Sequence, residues 1–305
     1  MMKLATTIGE MYDYVSTPAE AVECYRNSGF KYLDYSFYYD HKVPSPFMSD
    51  DDRLWKQQIA ETAAAAGKFG FEFVQAHAPG YNPMGKYDAD HAVCMRAMRR
   101  ALEACGILHI PVVVMHTSVS PVHQYPMDQQ PYFEYNRRFL APLLDIAEKH
   151  NFTLCIENTS EKNMGSRYFP RTPGEMNAFL EFMDHPNLGC CWDTGHAVME
   201  GKYDQYADLL ALGKNLKALH IHDNNALSDQ HLPPYCGKLQ IDRVIEALKK
   251  LDFKGCFTFE ADAFLNSRNG NGPAVNPPLE LRREALGMLY KIGKHILKSH
   301  GVFEK

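Results

Sequence analysis

Short runs of β-branched and aromatic residues recur along the chain, each followed by an amphipathic stretch of ten or more residues. Eight such runs are legible: Leu4–Ile8, Tyr32–Phe37, Phe71–Ala78, Pro111–Thr117, Thr153–Asn158, Leu188–Asp193, Lys217–His222 and Cys256–Asp262. Their length and residue types predict strands, and the periodic stretches between them predict helices. Thr17-Pro18 and Thr172-Pro173 each place an N-capping hydroxyl before a proline at the first helical position. AETAAAAGKFG ends a helix at Gly70, and NSGF ends an earlier one at Gly29.

Strands that alternate with helices pair in parallel, because the returning chain needs a crossover helix. Eight units in 305 residues favour closure of the sheet, so the expected fold class is α/β, one (β/α)8 TIM barrel forming a single domain over residues 1–305. No GxGxxG follows the first strand, which weighs against an open dinucleotide-binding sheet. The long connections follow strands, at 38–52, 80–88, 118–131, 159–172, 224–240 and 263–278, and in a barrel such loops form the catalytic face.

Polar residues with metal-binding side chains stand at the C-terminal ends of six predicted strands: His77, His116, Glu157, Asp193 with His196, His220 with His222, and Glu260. Asp229 and His231 follow in the loop after the seventh strand. Alternation tests their direction. Ile156, Trp192, Leu219 and Phe259 precede Glu157, Asp193, His220 and Glu260, so each apolar neighbour is expected to face the helices and each polar residue the barrel mouth. Taken singly, any of these is as well explained as a hydrogen-bonded rim group. Together, buried carboxylates without nearby Lys or Arg other than Lys217 need a cation. Three carboxylates and one imidazole suit a divalent metal, Mn²⁺ first, with Mg²⁺ or Co²⁺ close behind and Zn²⁺ favoured by additional histidines.

Composition narrows the field further. The net charge of −5 and the acidic MSDDDRLW loop argue against a nucleic-acid partner. Arg96, Arg99, Arg100, Arg282 and Arg283 read as solvated helix faces. There is no signal-peptide pattern and no apolar run long enough for a membrane span. The eight cysteines contain no CxxC pair, so buried thiols and a cytoplasmic location are expected.

The motifs HAP (77–79), IEN (156–158), WDTGH (192–196) and HIHDN…DQHLPP…GKLQI (220–241) resemble, in order and spacing, the xylose isomerase-like TIM barrel superfamily. That superfamily of sugar phosphate isomerases and epimerases also includes ketose 3-epimerases, hydroxypyruvate isomerase, inosose dehydratase and endonuclease IV. The resemblance implies a metal-dependent isomerase or epimerase of a small sugar or polyol, working by proton transfer through a metal-stabilised cis-enediolate. It casts Glu157, Asp193, His220 and Glu260 as ligands of one metal, with Glu157 and Glu260 also moving protons and His196 and His222 contacting substrate. Residues of the right type also stand at all nine trimetal positions of the endonuclease IV branch: His77, His116, Glu157, Asp193, His196, His220, Asp229, His231 and Glu260. A multinuclear zinc phosphoesterase is therefore the alternative, and a lyase or dehydratase on a keto-sugar or inosose is another. The loop LPPYCGKL departs from the PGxG-like turn of relatives. Aromatic loop residues (Phe37, Tyr38, Tyr81, Tyr168, Phe169, Phe264) are candidates for sugar stacking or for loop packing. Arg167, Arg171 and Arg268 are candidates for an anion or for solvated surface. A homo-oligomer is left open.

Overall fold

A computed structural model describes residues 1–42, 44–81, 89–118, 127–164, 169–261, 263–265 and 277–304. The strands are β1 (Leu4–Thr7), β2 (Tyr32–Ser36), β3 (Glu72–His77), β4 (Val112–Met115), β5 (Thr153–Glu157), β6 (Leu188–Asp193), β7 (Leu216–His220) and β8 (Phe257–Phe259). The described helices are α1 (Pro18–Cys24), α2 (Asp52–Phe69), α3 (Ala89–Ile107), α4 (Gln129–His150), α5 (Glu161–Met164), α6 (Pro173–Met183), α7 (Thr194–Met199), α8 (Tyr206–Leu212), α9 (Ile241–Lys250) and α10 (Leu279–Ser299).

All strands pair in parallel in the order β7-β6-β5-β4-β3-β2-β1-β8. The ring closes between its two ends. Ile221 bridges Phe259, its N–H donating to the Thr258 carbonyl at 2.8 Å, and the Glu260 N–H donates to the Ile221 carbonyl at 3.2 Å. The eight predicted strands are all present, in the predicted order, and the (β/α)8 TIM barrel is the fold.

Local chemistry sets the helix ends. Thr17 and Thr172 each form a capping box, with Glu20 and Glu175 returning the bond, and a proline opens each helix. Gly70 stops α2 in the left-handed region at φ 74°. The expectation for α1 needs correction. It ends at Cys24, because the Tyr25, Arg26 and Ser28 N–H groups turn back to Val22, Glu23 and Tyr25 carbonyls, and Gly29 lies in the turn beyond.

Alternation divides the strands between two apolar environments. Ile156, Trp192, Leu219 and Phe259 belong to the large core shared with the helices, and the Trp192 indole N–H donates to Gln205 Oε1 at 2.8 Å. Val114, Cys155, Cys191 and Ala218 form a separate packed plug inside the barrel. Desolvation raises the pKa of Cys155, and that of Cys191 to about 12, so both thiols stay neutral beneath the mouth.

A second expectation fails at Arg282. It is fully buried instead of solvated, with Nη2 3.3 Å from Glu10 Oε2 and Nη1 bonded to the Phe264 carbonyl. Arg100 likewise folds back on the Phe47 and Ser49 carbonyls and on Asp52. Helix propensity does not report which basic side chain a neighbouring loop will cover. Among the described residues no helix is long and apolar enough to cross a membrane.

Candidate active site

The C-terminal ends of the strands open into a cavity of about 520 Å³. Its walls come from strand ends and the segments after them, including Thr7, Ser36, His77, His116, Glu157, His196, Asp229 and Glu260. Among the described residues no Lys or Arg lines it.

All ten side chains singled out in the sequence are brought to this mouth. Glu157 is buried at its centre. Its Oε1 lies 2.8 Å from His220 Nδ1, and its Oε2 lies 3.2 Å from His77 Nε2 and 2.9 Å from His116 Nε2. His220 Nδ1 is also 3.1 Å from Glu260 Oε2. On the β6–β7 side, His222 Nε2 approaches Asp193 Oδ2 to 3.0 Å, and Asp229 Oδ2 lies 3.2 Å from His231 Nε2 and 3.4 Å from His196 Nε2. One donor atom from each of Glu157, Asp193, His220 and Glu260 falls within 4.8 Å of the others. The same holds for His77, His116 and Glu157, and for His222, Asp229 and His231.

Neighbouring groups fix these side chains. Asp193 caps α7: its Oδ1 accepts the His196 N–H at 2.5 Å, leaving Oδ2 for the cavity side. Asn158 holds the Asp193 backbone from both sides, its Oδ1 accepting at 2.6 Å and its Nδ2 donating at 3.0 Å. His196 Nδ1 donates to the Asn158 carbonyl at 2.9 Å, and His77 Nδ1 to the Ala78 carbonyl at 2.6 Å. A carbonyl only accepts, so in both rings the Nε2 lone pair of the neutral form is aimed into the mouth. Thr194 Oγ1 donates to the His222 carbonyl at 2.8 Å, tying β6 to the end of β7. Gly195 has a steric reason, since a Cβ there would stand 1.9 Å from His222 Cε1.

The buried ionisable groups shift one another. Burial alone would raise Glu157, but His220 and His116 beside it hold it well below the carboxylate range. Asp229 is likewise held well below against burial, by His231 and His196. Burial opposes charge on His220, yet the hydrogen bond to the Cys191 sulfur and the Glu260 and Glu157 carboxylates hold its pKa well above the imidazole range. His196 is raised in the same way by Asp193 and Asp229. The site thus balances its carboxylates with imidazolium when no other cation is present.

The donor set fits a divalent metal. Asp193 Oδ2, fully buried, has no hydrogen-bond partner, and neither do Asp229 Oδ1, His116 Nε2 and both ring nitrogens of His222. Close N···O approaches without hydrogen-bond geometry are what a shared cation between donors requires.

Some lining positions escaped the sequence. Asn163 lines the cavity and donates to Asp229 Oδ2 at 2.7 Å. Ser36 and Tyr39 also line it, without a motif to mark them. Of the aromatic candidates, Tyr38 lines the mouth with its ring 5.3 Å from His77, whereas Phe37 and Phe169 are fully buried in the core. Tyr81 contacts His91, and Phe264 packs on the core. Arg171 pairs with Glu161 at 2.5 Å. Arg167, Tyr168 and Arg268 lie outside the described residues. Cys236 is exposed and is not among the lining residues.

A family model described as xylose isomerase-like TIM barrel matches residues 22–292. An uncharacterized protein of Methanocaldococcus jannaschii is 26% identical over 190 residues, 61% of this chain, which spans about 64% of that relative's length. Among solved structures, a D-tagatose 3-epimerase-like protein aligns with a TM-score of 0.71 at 19% identity, covering 98% of this chain and 100% of that one. The IolI protein, solved with a zinc atom bound, aligns with a TM-score of 0.72 at 16% identity over 100% of both chains. At these identities the structural likenesses establish the fold.

Proposed function

The chain belongs to the xylose isomerase-like TIM barrel family, and from that premise we propose that it is a divalent-metal-dependent isomerase or epimerase of a small sugar or polyol. The observation that carries this is the convergence of Glu157, Asp193, His220 and Glu260 donor atoms within 4.8 Å at the barrel mouth. Those four residues hold the metal, Mn²⁺ by the predominance of oxygen donors, with Mg²⁺, Co²⁺ or Zn²⁺ also compatible. A divalent ion there polarises the carbonyl and neighbouring hydroxyl of a hydroxy-ketone and makes the intervening C–H more acidic.

The chain's own groups do the rest. Glu157 and Glu260 stand on β5 and on the segment after β8, so two carboxylates reach the substrate from different walls. One removes the proton from carbon and the other returns one. His196, Tyr38 and Asn163 offer hydrogen-bonding atoms to substrate hydroxyls. A D-tagatose 3-epimerase-like protein of the same fold supports the choice of substrate class.

Turnover of free ketoses and inososes in D2O tests the proposal: solvent deuterium should enter the recovered sugar. Recovered sugar free of deuterium, or a hydride-shift pattern, would sink it, and release of water would mark a dehydratase instead.

A second function has its own support. The groups His77/His116/Glu157 and His222/Asp229/His231 could each hold a further ion, as a multinuclear zinc phosphoesterase requires. Metal analysis of reconstituted protein separates the two: about one ion per chain favours the isomerase, two or three zincs the hydrolase.

A further inference from the structure

The opposite, N-terminal end of the barrel carries another cavity, of about 260 Å³, that plays no part in the chemistry of the mouth. Leu4 and Tyr32, the first residues of β1 and β2, line it together with Tyr290 of α10 and Phe303. The walls are anchored in the fold. Phe303 bridges Met2, with the Met2 N–H donating to the Val302 carbonyl at 2.7 Å and the Glu304 N–H to the Met2 carbonyl at 3.0 Å. Gly29, at φ +100°, lies against Tyr290. A Cβ there would stand 2.4 Å from ring Cδ1, so only glycine allows the ring to close that wall.

Three ammonium groups surround this apolar lining: Lys31, Lys294 and Lys298. Lys294 Nζ sits 5.3 Å from the Tyr290 ring centroid. Among the described residues, none of the three has an ion-pair partner, whereas nearby Lys3 is engaged by Glu72 at 3.0 Å. Glu304 is the carboxylate on the wall. In a chain of net charge −5 this is a local concentration of positive charge over aromatic surface.

We propose that the basal cavity binds a small organic anion, one planar ring bearing a single carboxylate or phosphate monoester group. Aromatic and aliphatic walls receive the ring, and the lysines receive the charge. The volume of about 260 Å³ falls just below the usual range for ligand pockets, roughly 300–1,000 Å³, which suits a single ring. The assignment stands independently of the chemistry at the mouth.

The test is calorimetric titration of the whole, metal-stripped protein with phenyl phosphate and, separately, benzoate, using inorganic phosphate as the head-group control. One site per chain is expected for at least one probe, with Kd on the order of 1 mM and inorganic phosphate clearly weaker. The double variant Lys294→Gln/Lys298→Gln should bind about tenfold more weakly, with its thermal unfolding unchanged. The probe that binds names the head group. Absence of saturable binding for both probes, wild-type affinity in the double variant, or equal binding of inorganic phosphate would each overturn the proposal.

Discussion

At its mouth the barrel gathers Glu157, Asp193, Asp229 and Glu260 among His77, His116, His196, His220, His222 and His231. At its base it sets three lysines over Leu4, two tyrosines and a phenylalanine. The mouth charges are mostly buried and short-ranged, and neighbouring groups orient them. The base charges are carried on long side chains, two of them exposed, that lie on apolar walls. Parallel strand geometry explains the difference. The mouth is built by side chains at the carboxyl ends of the strands and by the segments that follow them, which fold over buried polar groups. At the base, the strand starts are covered by the last turns of α10 and the C-terminal segment. Buried charges demand partners, and exposed lysines do not. The mouth therefore specifies chemistry and the base offers affinity.

The comparison breaks most sharply at Glu157. Glu157→Gln keeps the volume but removes the central carboxylate, and turnover should fall by about 1,000-fold or more while the fold persists. Steady-state kinetics with a melting curve checks this, and undiminished turnover would remove Glu157 from the chemistry.

Helix α10 links the two ends, about 30 Å long, with Arg282 near its start and Lys294 and Lys298 in its last turns. Arg282→Met takes the guanidinium away from buried Glu10, and the bond from Thr6 Oγ1 at 2.6 Å is a neutral one that does not replace its charge. A loss of about 3–5 kcal/mol in denaturant unfolding is expected. A loss under ~1 kcal/mol would mean that the pair contributes no more than an exposed ion pair.

Metal should act at the mouth alone. Saturation at about 1,000 times Kd adds roughly 4 kcal/mol of stability. Chelation should reverse that gain equally in wild type and in Lys294→Gln/Lys298→Gln. An identical melt with and without Mn²⁺ would contradict a formed site.

A further test concerns Asp40, in the segment after β2. Burial raises its carboxyl to about 7 against the bond from Ser45 Oγ at 2.8 Å. The folded chain therefore holds this proton more tightly than the unfolded chain. Its contribution favours folding below the unfolded pKa and is lost as pH rises through about 7. Asp40→Asn should flatten the decline of stability across that window, measured by unfolding between about pH 4 and 8. An unchanged slope would place the proton elsewhere.

The sequence by itself determined the strands, their order and the direction of the four central side chains, because alternation with a period of two couples burial to composition at every strand. It also marked the ten mouth residues, since carboxylates and imidazoles at successive strand ends must meet once parallel strands close into a ring. Tertiary structure decided what lies between elements distant in the chain. Asn163 reaches Asp229 from α5, Arg282 finds Glu10 across 272 positions, and Gly195 makes room for His222. Three donor groups near one another, rather than one, are likewise a property of the closed ring. Such contacts depend on how loops and helices pack, and a linear pattern of polar and apolar residues carries only the face each residue occupies, not the partner it meets there.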